Sequence, residues 1–80
     1  MKKYAYFLEY DWDKITPYSL IKIAIGAKQG DRYFPKSLKR KKETTELSYD
    51  WWIAAAKRCE KIKGHFKQIT RKEFLELKET

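Results

Sequence analysis

From Lys3 to Tyr10 the chain alternates, setting Tyr4, Tyr6, Leu8 and Tyr10 on one side of an extended segment and Lys3, Ala5, Phe7 and Glu9 on the other. A repeat of two residues is the period of a β-strand. Ala5 and Phe7 on the second side predict that it too is partly covered. Asp11-Trp12-Asp13 ends the pattern.

Thr16 to Gly30 supports two periods. Ile21, Ile23 and Ile25 alternate as in a strand, but the framing residues are those of a helix. Thr16 suits an N-cap, Pro17 suits the first helical position, where a missing N–H is harmless, and Gly30 suits a left-handed stop. Ser19, Lys22, Gly26 and Gln29 then draw one narrow polar stripe down an otherwise apolar cylinder. We take the framing as decisive and predict a helix over 17–29, with Gly26 and the β-branched Ile residues as the opposing weight.

Asp31 to Ser48 has little period and reads as a charged connection, with a basic loop over about 36–48 and a short strand at Arg32-Tyr33-Phe34. Tyr49 to Lys63 carries the clearest helical signal. Trp52, Ala55, Ala56, Cys59 and Ile62 share one face, Ser48 is the N-cap, Asp50 suits the positive end of the dipole and Gly64 the stop. Thr70 and Glu73 form a capping box inside an Ile69–Phe74 staple, so a last helix spans 71–78. His65 to Ile69 runs extended, with Phe66 and Ile69 touching the core beside the first strand. The predicted fold is a small α+β single domain over 1–80. An N-terminal strand at about 3–10, with one or two short partner strands, packs against helices at about 17–29, 49–63 and 71–78.

Composition changes this picture in two respects. Eighty residues bury only about 60% of the surface their unfolded chain exposes, and this chain has no valine, so its Tyr, Trp and Phe residues must build much of the core. A single cysteine rules out an internal disulfide, which favours a reducing interior. Acidic residues interrupt the apolar run after Met1 before it resembles a signal peptide, and no stretch is long enough to cross a bilayer. We therefore expect a cytoplasmic protein with no membrane partner.

Charge supplies the strongest functional signal, because a net +8 favours phosphate-rich or acidic partners. One group of cations is Lys36, Lys39, Arg40, Lys41 and Lys42; a second is Lys57, Arg58 and Lys61; Arg71 and Lys72 open the last helix. Converging on one face, they would release counterions on meeting a phosphate backbone. Scattered, they would merely keep a small protein soluble. Most of the cations are Lys, which suits backbone contact better than bidentate reading of bases. Arg71 and Lys72 sit where the helix dipole disfavours positive charge, and an anion held at that terminus is one account of them. Trp12, Tyr33, Trp51 and Tyr10 lie at the margins of their periodic patterns, where an exposed ring stacks on an unpaired base or anchors a protein interface.

Signals for catalysis are weaker. Glu9, Asp11 and Asp13 alternate and loosely resemble a metal-dependent nuclease site, but no further carboxylate is placed to complete one. Cys59 and His65 are the only thiol and imidazole; Cys59 falls on an apolar helix face, and the pair is too small a set for structural zinc. Gly64-His65 resembles the glycine-histidine turn of some small toxin ribonucleases. We predict no catalytic residues, no metal and no cofactor.

No quotable family motif appears. In general character alone the chain resembles the short, lysine-rich orphan proteins of phages and mobile elements, anti-CRISPR inhibitors among them. Three functions follow. The first is a non-enzymatic module whose lysine-rich face contacts nucleic acid, RNA or single strands in preference. The second is an inhibitor that docks on a nucleic-acid-handling protein, and the third is a small ribonuclease.

Overall fold

The computed structural model describes residues 3–80. Five strands, β1 (Tyr4–Tyr10), β2 (Pro17–Ala24), β3 (Gly30–Tyr33), β4 (Glu43–Thr45) and β5 (Phe66–Ile69), form one sheet in the order β4-β3-β2-β1-β5. Every neighbouring pair is antiparallel. Two helices, α1 (Tyr49–Ile62) and α2 (Arg71–Lys78), complete a small α+β domain.

The helices cover opposite faces of the sheet. Ala5 and Phe7 of β1 with Ile21 and Ile23 of β2 pack against Trp52 and Ala56 of α1. Tyr6 and Leu8 of β1, Leu20 of β2 and Ile69 of β5 pack against Phe74 of α2. The β1–β2 register sets Phe7 opposite Ile21 and Leu8 opposite Leu20, so successive pairs feed alternate cores. Among the described residues no helix is long and apolar enough to cross a membrane.

The helix predicted over 17–29 is instead β2 and the turn leading into β3. Leu20, Ile21 and Ile23 are all essentially inaccessible, one side chain serving the α2 core and the others the α1 core. A strand buried on both faces loses the apolar–polar alternation that would have marked it. The supposed polar stripe has other uses: buried Ser19 donates to Glu9 at 2.6 Å, and the Lys22 ammonium lies 4.5 Å from the centre of the Tyr4 ring. Gly30 is no helix stop; a Cβ there would meet Ile23 Cβ at 2.8 Å and the Lys22 carbonyl oxygen at 2.9 Å, so its bareness lets β3 approach β2.

The other framing residues act as the sequence indicates. Ser48 accepts from the Trp51 N–H at the start of α1, and Thr70 and Glu73 close a reciprocal capping box at the start of α2. Ile69 and Phe74 both lie in the α2 core, and Phe66–Ile69 pairs with β1. Gly64 follows α1 for a steric reason, since the left-handed residue is Lys63 (φ 53°) and a Cβ on Gly64 would overlap Cys59 Sγ. Within the predicted basic loop stand a short 3-10 turn, Lys36–Leu38, and β4.

The strand assignment fixes the sign of a simple test. In a helix, Gly26→Ala would add about 1 kcal/mol of stability; here Gly26 sits at φ 83° in a turn, and the same change lowers it by about 1 kcal/mol. Gly30→Ala, crowding β2, lowers it by about 1 to 3 kcal/mol. Urea denaturation of both variants measures these differences.

Candidate functional site

Strand register decides which loops meet. Tyr10 faces Pro17, Glu9 faces Phe66, Leu20 faces Tyr33 and Arg32 faces Glu43. The β1–β2 loop, the β3–β4 connector and the α1–β5 junction therefore share one end of the sheet, the Tyr10 end. The Tyr10 N–H donates to the His65 carbonyl at 2.7 Å, and the Ser37 N–H to the Thr80 carbonyl at 3.3 Å, which brings the end of α2 there as well.

Each connection at this end turns through a left-handed residue that is not glycine. These are Lys14 (φ 59°), Lys39 (φ 52°) and Lys63 (φ 53°), and all of them are lysines. The turn at the opposite end uses Gly26, the residue that tolerates this conformation without strain. All three lysines are exposed, and none is in an ion pair among the described residues.

Of the sequence-predicted cations, Lys36, Lys39, Arg40, Lys41 and Lys42 are brought together on the exposed connector at the Tyr10 end. Two of them are neutralised, Arg40 by Glu43 at 3.2 Å and Lys42 by Asp31 at 3.9 Å. Arg40 is also a clamp: it lies 4.2 Å from the Phe34 ring centre and donates to the Tyr18 hydroxyl, holding the connector to the sheet. Lys57, Arg58 and Lys61 are exposed on α1. Arg71 and Lys72 are not brought to the others, since β5 runs from Phe66, opposite Glu9, to Ile69, opposite Tyr6, and delivers them to the far end on the other face. Their helix terminus is already served by the Glu73 carboxylate, which accepts from the Thr70 N–H at 3.1 Å.

On the α1 face, three cavities adjoin around Phe66. The largest, about 360 Å³, is lined by Glu9, Tyr10, Asp11, Trp12, Tyr18, His65 and Phe66. A second, about 270 Å³, runs under α1 between Trp51, Ala54, Ala55, Arg58, Cys59 and Phe66. A third, about 90 Å³, lies among Glu9, Arg32, Thr45, Leu47, Trp52 and Phe66. Phe66 meets Trp51 and Trp52 edge-on at 5.6 and 5.3 Å, and Trp12 meets His65 edge-on at 5.6 Å. Trp12 is 88% exposed and Trp51 41%. Tyr33 belongs to the other face, half-buried against Phe74 with the Lys78 ammonium 4.7 Å from its ring centre. The groove thus takes up Trp12, Trp51 and Arg58 from the predicted set. It adds Tyr18, His65 and Phe66, of which Tyr18 was hidden inside the misassigned helix.

The three acidic residues singled out in the sequence have separate roles. Glu9 Oε1 accepts from Arg32 at 2.5 Å and from Ser19 at 2.6 Å. Asp13 accepts from the Ile15 and Thr16 N–H groups at 2.9 and 2.8 Å and from the Thr16 hydroxyl, fixing the loop that carries Trp12. Those hydrogen bonds, the Thr16 hydroxyl foremost, hold the Asp13 carboxyl below its usual range. Among the described residues no three His, Cys, Asp or Glu side chains are grouped to hold a metal ion. Cys59 and His65 line different cavities.

Two measurements follow. Arg40→Ala lowers stability by about 1 kcal/mol through loss of the ring and carboxylate contacts, whereas Lys41→Ala stays within about 0.5 kcal/mol; denaturant midpoints separate them. Because the folded-state Asp13 value lies below the unfolded one, its contribution is complete above the ordinary 3.8 and fades as pH falls through the folded value. A side-chain NMR titration gives a midpoint below 3.8 that moves up toward it in Thr16→Val, which removes the hydroxyl but keeps the two backbone donors.

The chain matches no protein-family model, no curated protein and no solved structure, so what the groove does must be read from its own chemistry.

Proposed function

We propose that this protein is a non-enzymatic nucleic-acid-binding module that takes RNA or single-stranded DNA across the Tyr10 end of the sheet. Bases would stack in the groove around Phe66, and phosphates would meet the lysines of the surrounding turns. The observation that carries this reading is the run of left-handed lysines, Lys14, Lys39 and Lys63. A non-glycine residue in that conformation is strained by about 1 kcal/mol or more, and glycine would relieve it. Positive charge retained at three such positions around one aromatic groove is what a phosphate-binding rim requires.

Chemistry of the side chains supports the mode of contact. Arg32 and Arg40 are engaged with Glu9 and Glu43, so backbone contact falls mainly to lysines, which act as point charges without base preference, with Arg58 on α1 as the one exposed guanidinium lining the groove. Separated, exposed rings suit bases that are already unstacked, as in single strands and loops.

One observation favours a second reading, docking on a nucleic-acid-handling protein. Ile15, beside Trp12 on the same braced loop, is 77% exposed, and an aliphatic side chain serves a protein partner better than a base.

Fluorescence anisotropy with labelled uridine dodecamers tests the proposal. If about four phosphates are neutralised, affinity falls about 50-fold between 50 and 200 mM salt. Trp12→Ala weakens binding about fivefold or more, and Ile15→Ser leaves it unchanged. Replacing Lys14, Lys39 and Lys63 together by Gly weakens binding and flattens the salt slope by about 2, while stability holds or rises by up to about 1 kcal/mol per site. Absence of binding at low salt overturns the reading, and an Ile15 requirement transfers it to the protein-docking alternative.

A further inference from the structure

We propose that the 360 Å³ cavity beside Trp12 selects an unpaired guanine, an inference that rests on the nucleic-acid reading above. Its size falls within the range of small-ligand sites, about 300 to 1,000 Å³. Aromatic side chains supply most of its walls: Trp12, Tyr10, Tyr18 and Phe66, with His65 beside them. Such rings hold any base by its face. Selection among bases falls to the polar groups.

The charged groups among them, Glu9 and Asp11, are acceptors, while the Tyr10 and Tyr18 hydroxyls can both donate and accept. Glu9 is held by Arg32 and Ser19 through Oε1 alone, which fixes the carboxylate and leaves Oε2 outside any hydrogen bond among the described residues. Asp11 accepts from the Trp12 N–H at 2.8 Å through Oδ1, and its Oδ2 is likewise unpaired among them. His65 Nδ1 lies 3.3 Å from the Asp11 carbonyl oxygen; a proton there leaves Nε2 as an acceptor in the neutral ring. A cavity whose fixed groups accept discriminates by counting donors on the edge presented to it. Adenine and cytosine offer one amino group next to ring acceptors, and uracil offers one N–H between two carbonyls. Guanine alone presents two adjacent donors, N1–H and the N2 amino group. Acceptors aimed at those donors form charge-assisted hydrogen bonds, and a base lacking one leaves a desolvated carboxylate oxygen unpaired.

The arrangement also separates two jobs. Carboxylates in the groove repel phosphate, so a strand gains by turning its backbone outward to Lys14, Lys39 and Lys63 and its base inward. Base identity and backbone affinity then depend on different residues.

The test compares uridine hexamers carrying one guanine, adenine or inosine at the third position with the all-uridine hexamer, by anisotropy at one salt concentration. The guanine hexamer binds roughly tenfold tighter than the all-uridine one. Inosine, which lacks the N2 amino group, loses most of that gain. Asp11→Asn, an exposed change that keeps the Oδ1 contact, brings the ratio of guanine-hexamer to all-uridine affinity close to one, and Glu9→Gln does the same where circular dichroism shows it folded. Equal affinity for all hexamers overturns guanine selection and leaves single-strand binding standing. No hexamer bound overturns both. Choline displacing the guanine hexamer better than sodium at equal ionic strength would assign the cavity to an organic cation and overturn the proposal.

Discussion

Burial of the two central strands on both faces is the constraint from which the rest of the structure follows. A chain of 80 residues without valine has few aliphatic side chains to spread, and of the Leu and Ile it buries, all but Ile69 stand in β1 and β2. Phe7, Leu20 and Ile21 are fully inaccessible although they point to different sides. Each face then needs its own cover, and each helix supplies one: Trp52 and Ala56 from α1, Phe74 from α2. Covering both sides of a five-stranded sheet with two short helices leaves part of it bare. On the α1 side the bare part is the Tyr10 end of β1, β2 and β5, where the groove around Phe66 opens. The candidate site is the region this thin core does not reach.

The same constraint explains which parts of the fold were legible in the sequence. Both authentic helices were, because Ser48, Thr70 and Glu73 are local signals that act within a few residues and owe nothing to topology. β1 was legible because Tyr4, Lys3 and Glu9 keep some alternation at its ends. β2 showed its period only in Ile21 and Ile23, continued by Ile25 just past its end, since an interior strand flanked by two cores has no solvent face to extend that record, and Thr16 and Pro17 mimic a helix start. Thr16 in fact closes the β1–β2 loop with Asp13. β4 escaped as well: three residues of an edge strand, Glu43, Thr44 and Thr45, are too few and too polar to show a pattern. The site was half legible. Trp12 and the connector lysines were readable from pattern breaks and charge, whereas Tyr18, Glu9 and Phe66 acquire their roles only through strand pairing.

Two of the four arginines have structural roles. Arg32 and Arg40 turn inward, each against the Tyr18 and Phe34 rings and each with a carboxylate, as a planar guanidinium is suited to do. Most acidic residues named above are likewise engaged locally: Glu9, Asp31 and Glu43 in ion pairs, Asp13 and Glu73 in a turn and a cap. Five of the eleven carboxylates are thus used to hold the fold, which limits how many are left to offset the lysines at the surface. Part of that lysine charge has a structural reason. Lys61 and Lys78 lie in the last turns of their helices, where a cation complements the dipole by a few tenths of a kcal/mol.

That account extends only in part to the turns. Lys14, Lys39 and Lys63 each donate a backbone N–H within their turns, to the Asp11, Lys36 and Cys59 carbonyls, and Lys63 caps the negative end of α1, but glycine would close the same turns without strain, as Gly26 does at the other end of the sheet. A solubility role would be served equally by a lysine one residue away in ordinary backbone, at no conformational cost. What the left-handed position adds is placement: the residue sits at a tight turn, so the backbone fixes where the side chain leaves the rim, although the ammonium still moves on its four-carbon stem. On the proposed reading, that placement would serve a ligand with regularly spaced anionic groups, because the backbone ordering is met once, in folding, and not again on binding.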